Sequence, residues 1–216
     1  MMKNWKKELP LIVITMFPII YLAFIWSSLP EKVPMHYDFQ GNIDRYGNKT
    51  ELIWISLLLP AFMYILFLLL PLIDPKKKLQ NMGNKLLQIR YVMTIFMSAL
   101  SVFIIYSSKN PSVVESSLLF AGIGLLFIIL GNYFKTIKPN YFLGIRTPWT
   151  LENEIVWKDT HRLAGKIWLL GGCLIVVLCL IIPNQEMLSY IFMGIAGLLA
   201  LIPIIYSYFR FRKLKN

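Results

Sequence analysis

Charge is what this sequence has least of. Asp, Glu, Lys and Arg make up 15% of its 216 residues, where an average soluble domain carries about 25%. Histidine and cysteine occur twice each. Two cysteines exclude a disulfide framework. Cys173 and Cys179 share one apolar run, and six helical residues separate them by about 9 Å, beyond disulfide reach. Two histidines leave a zinc site short of its usual ligands. No His-Glu-x-x-His run and no Gly-x-Ser-x-Gly elbow occurs, which removes the metalloprotease and serine-hydrolase signatures.

What is abundant is apolar: 57% of residues are hydrophobic and 14% aromatic. Six stretches hold no Asp, Glu, Lys, Arg or His: Leu9–Pro30, Leu52–Ile73, Tyr91–Ser108, Ser116–Phe134, Ile167–Gln185 and Met187–Phe209. Their lengths are 22, 22, 18, 19, 19 and 23 residues, and a bilayer core takes about 20 helical residues. Pro18, Pro60 and Pro203 inside them disfavour soluble helices but are tolerated in membranes. The first stretch is too long for a signal peptide and lacks a small-x-small cleavage site, so it is expected to stay.

Basic residues set an orientation. Eighteen of 22 fall at the N-terminus (Lys3 onward), in the second and fourth loops and at the C-terminus. The remaining four, Lys32, Arg45, Lys49 and Lys109, fall on the other side. The positive-inside rule therefore predicts cytoplasmic termini. The net charge of +11 reads as a topology signal and attraction to anionic lipids, with no direct nucleic-acid binding.

Two polar regions are organised. In the first, Val33, Met35, Tyr37 and Phe39 alternate with polar residues, the period of a strand with one apolar face. Gly41-Asn42 and Gly47-Asn48 predict turns around Asp44-Arg45-Tyr46. His36, Asp38 and Asp44 are expected to form a hydrogen-bonded cluster rather than a metal site. In the second region, Thr147-Pro148 is a helix start, with the hydroxyl as N-cap and proline at N1. Trp149, Val156 and Leu163 then recur every seven residues, with Trp157 beside them. This predicts an amphipathic helix at the membrane surface, anchored by its tryptophans and turning into the fifth span near Gly165. Arg146, just before the helix start, is expected to bind an anion or to pair with Glu152, Glu154 or Asp159.

The expected fold is an all-α integral membrane protein. It has six transmembrane helices, a small extracellular strand and turn loop, and a cytoplasmic amphipathic helix. Residues 1–86 form an N-terminal membrane domain with two spans and the loop 30–51. Residues 87–216 form a second domain with four spans and the loop 135–166.

Gly144-Ile-Arg-Thr-Pro-Trp-Thr-Leu151, followed by Trp157 and His161-Arg162, resembles the signature of the SdpI family of bacterial immunity proteins. Pro34-x-His36, then Gly41-x-x-Asp44-x-Tyr46-Gly47-x-Lys49, resembles the small membrane domain of unknown function that often precedes it. The resemblance implies a multi-pass plasma-membrane protein that protects its producer from a secreted peptide toxin. In some members sensing is linked to a transcriptional repressor at the cytoplasmic face.

The site residues expected are therefore Arg146, Thr147, Pro148, Trp149, Thr150, Trp157, His161 and Arg162 inside, and Pro34, His36, Gly41, Asp44, Tyr46, Gly47 and Lys49 outside. An edge of the Val33–Phe39 strand is the expected surface for an extended peptide. No cofactor and no covalent chemistry are expected. One alternative is a membrane enzyme for lipid or peptide, built on His161, Asp159 and Arg146. The other is a small-molecule transporter, which the lack of ionisable residues in the spans disfavours, although Arg90 and Glu115 come close to span ends. The pairs Gly122/Gly124, Gly171/Gly172 and Gly194/Gly197 are expected to allow close helix packing.

Overall fold

The computed structural model describes residues 5–110 and 116–215; Lys3 and Glu115, used above, lie outside them. Six helices among the described residues are long and apolar enough to cross a membrane. They are α1 (Trp5–Ile25), α2 (Glu51–Ile73), α3 (Asn84–Lys109), α4 (Ser116–Phe134), α6 (Glu154–Ile181) and α7 (Gln185–Lys215), with the short α5 (Pro148–Glu152) before α6. Between α1 and α2 stand two strands, β1 (Lys32–Tyr37) and β2 (Ile43–Asn48).

Apolar side chains cover the outside of these helices as well as the inside. Phe24 is 86% exposed and Leu180 83%, and the apolar window of each spanning helix is at most 33% buried. In water such a surface would aggregate; lipid is the solvent it matches. Helix-internal prolines stand at positions 10, 18, 60, 71 and 203. The chain is a membrane protein.

The helices pack in two groups. α3, which the sequence reading placed in the second domain, lies along α1 and α2. Its Ser98 hydroxyl donates to the Ile14 carbonyl at 2.8 Å. At the end of this group that carries the N-terminus, the Glu8 carboxylate is gripped by the Arg90 guanidinium and by the Tyr64 hydroxyl at 2.9 Å. Arg90 is thus a buried, paired charge rather than a free ionisable group.

α4, α6 and α7 form the second group. α4 and α6 meet backbone to backbone. A Cβ on Gly165 would stand 2.7 Å from the Gly131 carbonyl oxygen, and one on Gly172 would stand 2.5 Å from that of Gly124. Gly131 and Gly165 therefore join the expected packing residues, whereas Gly122, Gly194 and Gly197 face open space. The Trp168 indole donates to the Leu199 carbonyl at 2.9 Å, tying α6 to α7.

The surface helix expected after Thr147 runs five residues and stops. Asn153 is extended and caps a new helix, accepting from the amides of Ile155 (2.8 Å) and Val156 (3.2 Å). That helix continues to Ile181 with no turn at Gly165. Its 28 residues reach about 42 Å, more than a hydrocarbon core of about 30 Å. The heptad of Val156 and Leu163 therefore sits on an extension of the fifth span and not on a helix lying flat.

Candidate functional site

The two polar elements cap opposite ends of the bundle and are built differently. At one end, β1 and β2 pair antiparallel, with Val33 opposite Gly47, Pro34 opposite Tyr46 and His36 opposite Arg45. The register is irregular between Pro34 and Tyr37, as expected where a proline removes a ladder donor. Gly47-Asn48, expected as a turn, is the end of β2. Val33 is fully buried in a cluster with Leu22, Leu29, Leu52 and Ile105, so the hairpin plugs the first helix group. β2, by contrast, is exposed from Asp44 to Tyr46, while along Val33–Phe39 only His36 and Phe39 are exposed.

Lys49 closes the base of the hairpin, 2.7 Å from the Glu31 carboxylate and over the Trp26 ring. His36 bonds Asp44 through Nδ1 at 2.7 Å on the solvent side. Asp38 does not join them. Its carboxylate accepts from the amides of Gln40 (2.9 Å) and Asn42 (2.8 Å) and shapes the turn. Desolvation raises the Asp38 pKa, but the hydrogen bonds from Asn42, Gln40 and Gly41 together outweigh it and hold the carboxyl below its ordinary value.

The turn docks on the second helix group. Gln40 donates to Glu186 at 3.0 Å, the Ser189 hydroxyl reaches the Phe39 carbonyl at 3.3 Å, and Phe39 stacks on Tyr190. Gly41 has φ +86°, and a Cβ there would stand 2.5 Å from Gln185 Oε1. Both the backbone and the contact require glycine. The hairpin therefore bridges the two helix groups.

At the opposite end many polar groups of the Gly144–Arg162 segment are used internally, although the buried Thr160 hydroxyl has no partner among the described residues. Thr147 and Thr150 form a reciprocal capping box, and the Thr147 hydroxyl meets that of Ser207 on α7 at 3.0 Å. Pro148 stands at the first helical position of α5. Trp149 packs edge-on against Tyr208, with ring centroids 5.1 Å apart.

Trp157 is not a headgroup anchor. It is 1% exposed, donates from Nε1 to the Ile137 carbonyl at 2.8 Å and stacks on His161 at 4.1 Å. His161 is also 1% exposed. Its Nδ1 lies 2.8 Å from the Trp157 carbonyl, and its Nε2 accepts the Ile145 amide at 3.0 Å. A carbonyl on one nitrogen and an N–H on the other fix a neutral Nδ1–H imidazole with no valence left over. Gly144 makes this possible: its φ is +97°, and a Cβ would stand 2.3 Å from His161 Nε2.

The three residues of the enzyme alternative are each engaged separately. Asp159 pairs with Arg210 at 2.7 Å and more loosely with Arg162 at 3.7 Å. Arg146 donates to the Tyr141 carbonyl at 2.6 Å. Exposed, it has no carboxylate partner among the described residues, and the expected pairing with Glu152, Glu154 or Asp159 does not form. Glu152 instead reaches Lys215 at 4.0 Å.

Sequence reasoning missed Asn140, whose side chain accepts the amides of Phe142 (2.8 Å) and Leu143 (2.6 Å) and folds the preceding loop. An Asn before a run ending in Gly was the available signal. Lys76 lies over the Tyr141 ring of that loop, and its hydrogen bond and charge interaction with Tyr141 hold its ammonium above the ordinary lysine range. No group of three or more His, Cys, Asp or Glu among the described residues is placed to hold a metal.

These features define a six-span helical membrane protein with a docked hairpin at one end and a buried Thr-Pro-Trp and histidine element at the other. Residues 136–207 match the SdpI/YfhL protein family, and residues 13–63 match a domain of unknown function, DUF1648. The chain is similar to the Immunity protein SdpI of Bacillus subtilis (strain 168), with 27% identity over 221 aligned positions covering 98% of this chain and 99% of that protein. These matches bear out the resemblance to the SdpI family. No solved structure matches the chain.

Proposed function

We propose that the protein is a membrane immunity protein that protects its cell from a secreted, membrane-active peptide toxin. The observation that carries this reading is the end-to-end similarity to an immunity protein, with both signature elements in order. The hairpin faces the outside and both termini lie in the cytoplasm, supported by the 18 basic residues on the terminal side. Protection works by binding and not by covalent chemistry, in keeping with a His161 whose two ring nitrogens are both occupied. The functional units divide after α3 and not at residue 86, because α3 packs with α1 and α2.

On the cytoplasmic side Lys135, Arg162 and Lys166 line a cavity of about 350 Å³ that takes an anionic lipid headgroup. Arg146, an exposed cation of the motif with no carboxylate partner among the described residues, is the contact for a cytoplasmic repressor. The test is survival and membrane potential of toxin-sensitive cells expressing the parent, Arg146→Ala or an empty membrane control. The parent holds its potential under the peptide and the control collapses. Equal collapse at matched insertion contradicts immunity to that peptide. Loss of repressor recruitment by Arg146→Ala, with survival kept, separates signalling from protection.

A further inference from the structure

Beneath the hairpin, at the seam between the two helix groups, lies a cavity of about 260 Å³. Its walls are mostly apolar: Met35 of β1, Ile55 of α2, Leu100 and Phe103 of α3, and Leu119 of α4. Polar side chains interrupt that wall: Asp38, Ser116 and Gln185, which are hydrogen-bonded, and the hydroxyls of Tyr37 and Ser107, which are not. Ser107 is 4% exposed, and neither its Oγ nor the buried Tyr37 hydroxyl has a hydrogen-bond partner among the described residues. Buried polar groups without partners are rare in native proteins, and each costs free energy until something satisfies it. Burial, and then the charge of Tyr46, push the Tyr37 phenol up, so it stays a neutral donor.

We infer that this cavity is a binding site for an apolar peptide segment, taking one side chain into the apolar wall and a backbone amide onto Ser107 and Tyr37. The size fits: an apolar cavity of about 150 Å³ holds benzene, so this one has room for a ring or a branched aliphatic side chain with its amide. The hydroxyls decide the chemistry, because a lipid acyl chain offers nothing to either of them. A second cavity of about 270 Å³ shares Leu100, Phe103 and Leu119 with the first and continues between α3 and α4. The site therefore extends along the seam, as a segment longer than one residue needs. Binding sites favour such seams between packed units. Identifying the segment with a toxin rests on the immunity reading; the site itself does not.

The probe is N-acetyl-4-fluorophenylalanine amide, with 4-fluorotoluene as the same ring without amides, read by fluorine NMR on the full chain in nanodiscs. The parent binds the amide saturably above empty nanodiscs. Ser107→Ala weakens it roughly three- to tenfold and leaves fluorotoluene unchanged. Leu119→Trp, which fills the wall, weakens both at least tenfold. Should Leu119→Trp not elute like the parent, the contrast between amide and hydrocarbon in Ser107→Ala decides alone. No saturable amide binding, binding indifferent to Ser107→Ala, or binding of fluorotoluene alone overturns the proposal. A protein that binds the amide yet fails to protect cells keeps the site and removes the immunity reading.

Discussion

The chain's two histidines sit in opposite circumstances. The His36 side chain is 65% exposed and answers to one carboxylate, Asp44. His161 is 1% exposed, with one ring nitrogen on a carbonyl and the other on an amide. The same contrast holds for the elements around them. The Gly144–Arg162 segment spends most of its polar groups on its own backbone, on α7 and on the preceding loop, the buried Thr160 hydroxyl excepted. The hairpin leaves Asp44, Arg45 and Tyr46 in solvent and covers a cavity with unbonded hydroxyls. A signature motif therefore does not mark a contact surface by itself. The inner motif is packed into the fold apart from exposed side chains such as Arg146 and Arg162, whereas the hairpin presents Asp44, Arg45 and Tyr46 to solvent.

The largest effect expected in breaking this contrast is at Trp157. Trp157→Ala removes a buried ring, its bond to Ile137 and its stack on His161, and should cost about 3–5 kcal/mol in unfolding from mixed micelles. His161→Ala strips the Ile145 amide of its acceptor, with a loss of about 2–4 kcal/mol by the same titration. Thr147→Val removes the cap and the Ser207 contact, for about 1–2 kcal/mol. At the other end His36→Ala should stay within about 0.5 kcal/mol of the parent, as exposed pairs do.

Acidification is the mildest probe. Asp38 titrates below its ordinary value. Its contribution to the turn is complete above the unfolded pKa of about 3.9 and is lost as pH falls through the lower folded value. Exchange of the Gln40 and Asn42 amides should accelerate only in that window.

Much of this was legible in the sequence. Runs without charge located all six spans, because a bilayer core penalises every unpaired charge. They misplaced the ends, since Glu8 and Arg90 neutralise each other inside the helical length and α6 begins 13 residues before Ile167. The period of two found β1 but not β2, whose Gly47-Asn48 is turn-like in type and strand in place. Trp157 was misread as an anchor because spacing along a helix cannot tell a face toward lipid from one toward a neighbouring loop. Ser107 gave no sign at all. A serine at the end of an apolar run looks like any other, and only the seam between α3 and α4 leaves its hydroxyl unpartnered.

The most direct test sets the two ends against each other under peptide challenge. Survival would be measured at matched membrane levels for the parent, Asp44→Lys with Tyr46→Ser on the hairpin, and Thr147→Val in the inner motif. The account predicts that the hairpin variant loses protection with its stability unchanged, while Thr147→Val protects in proportion to the folded protein remaining. Full protection by the hairpin variant, with loss in a stably folded Thr147→Val, would contradict it.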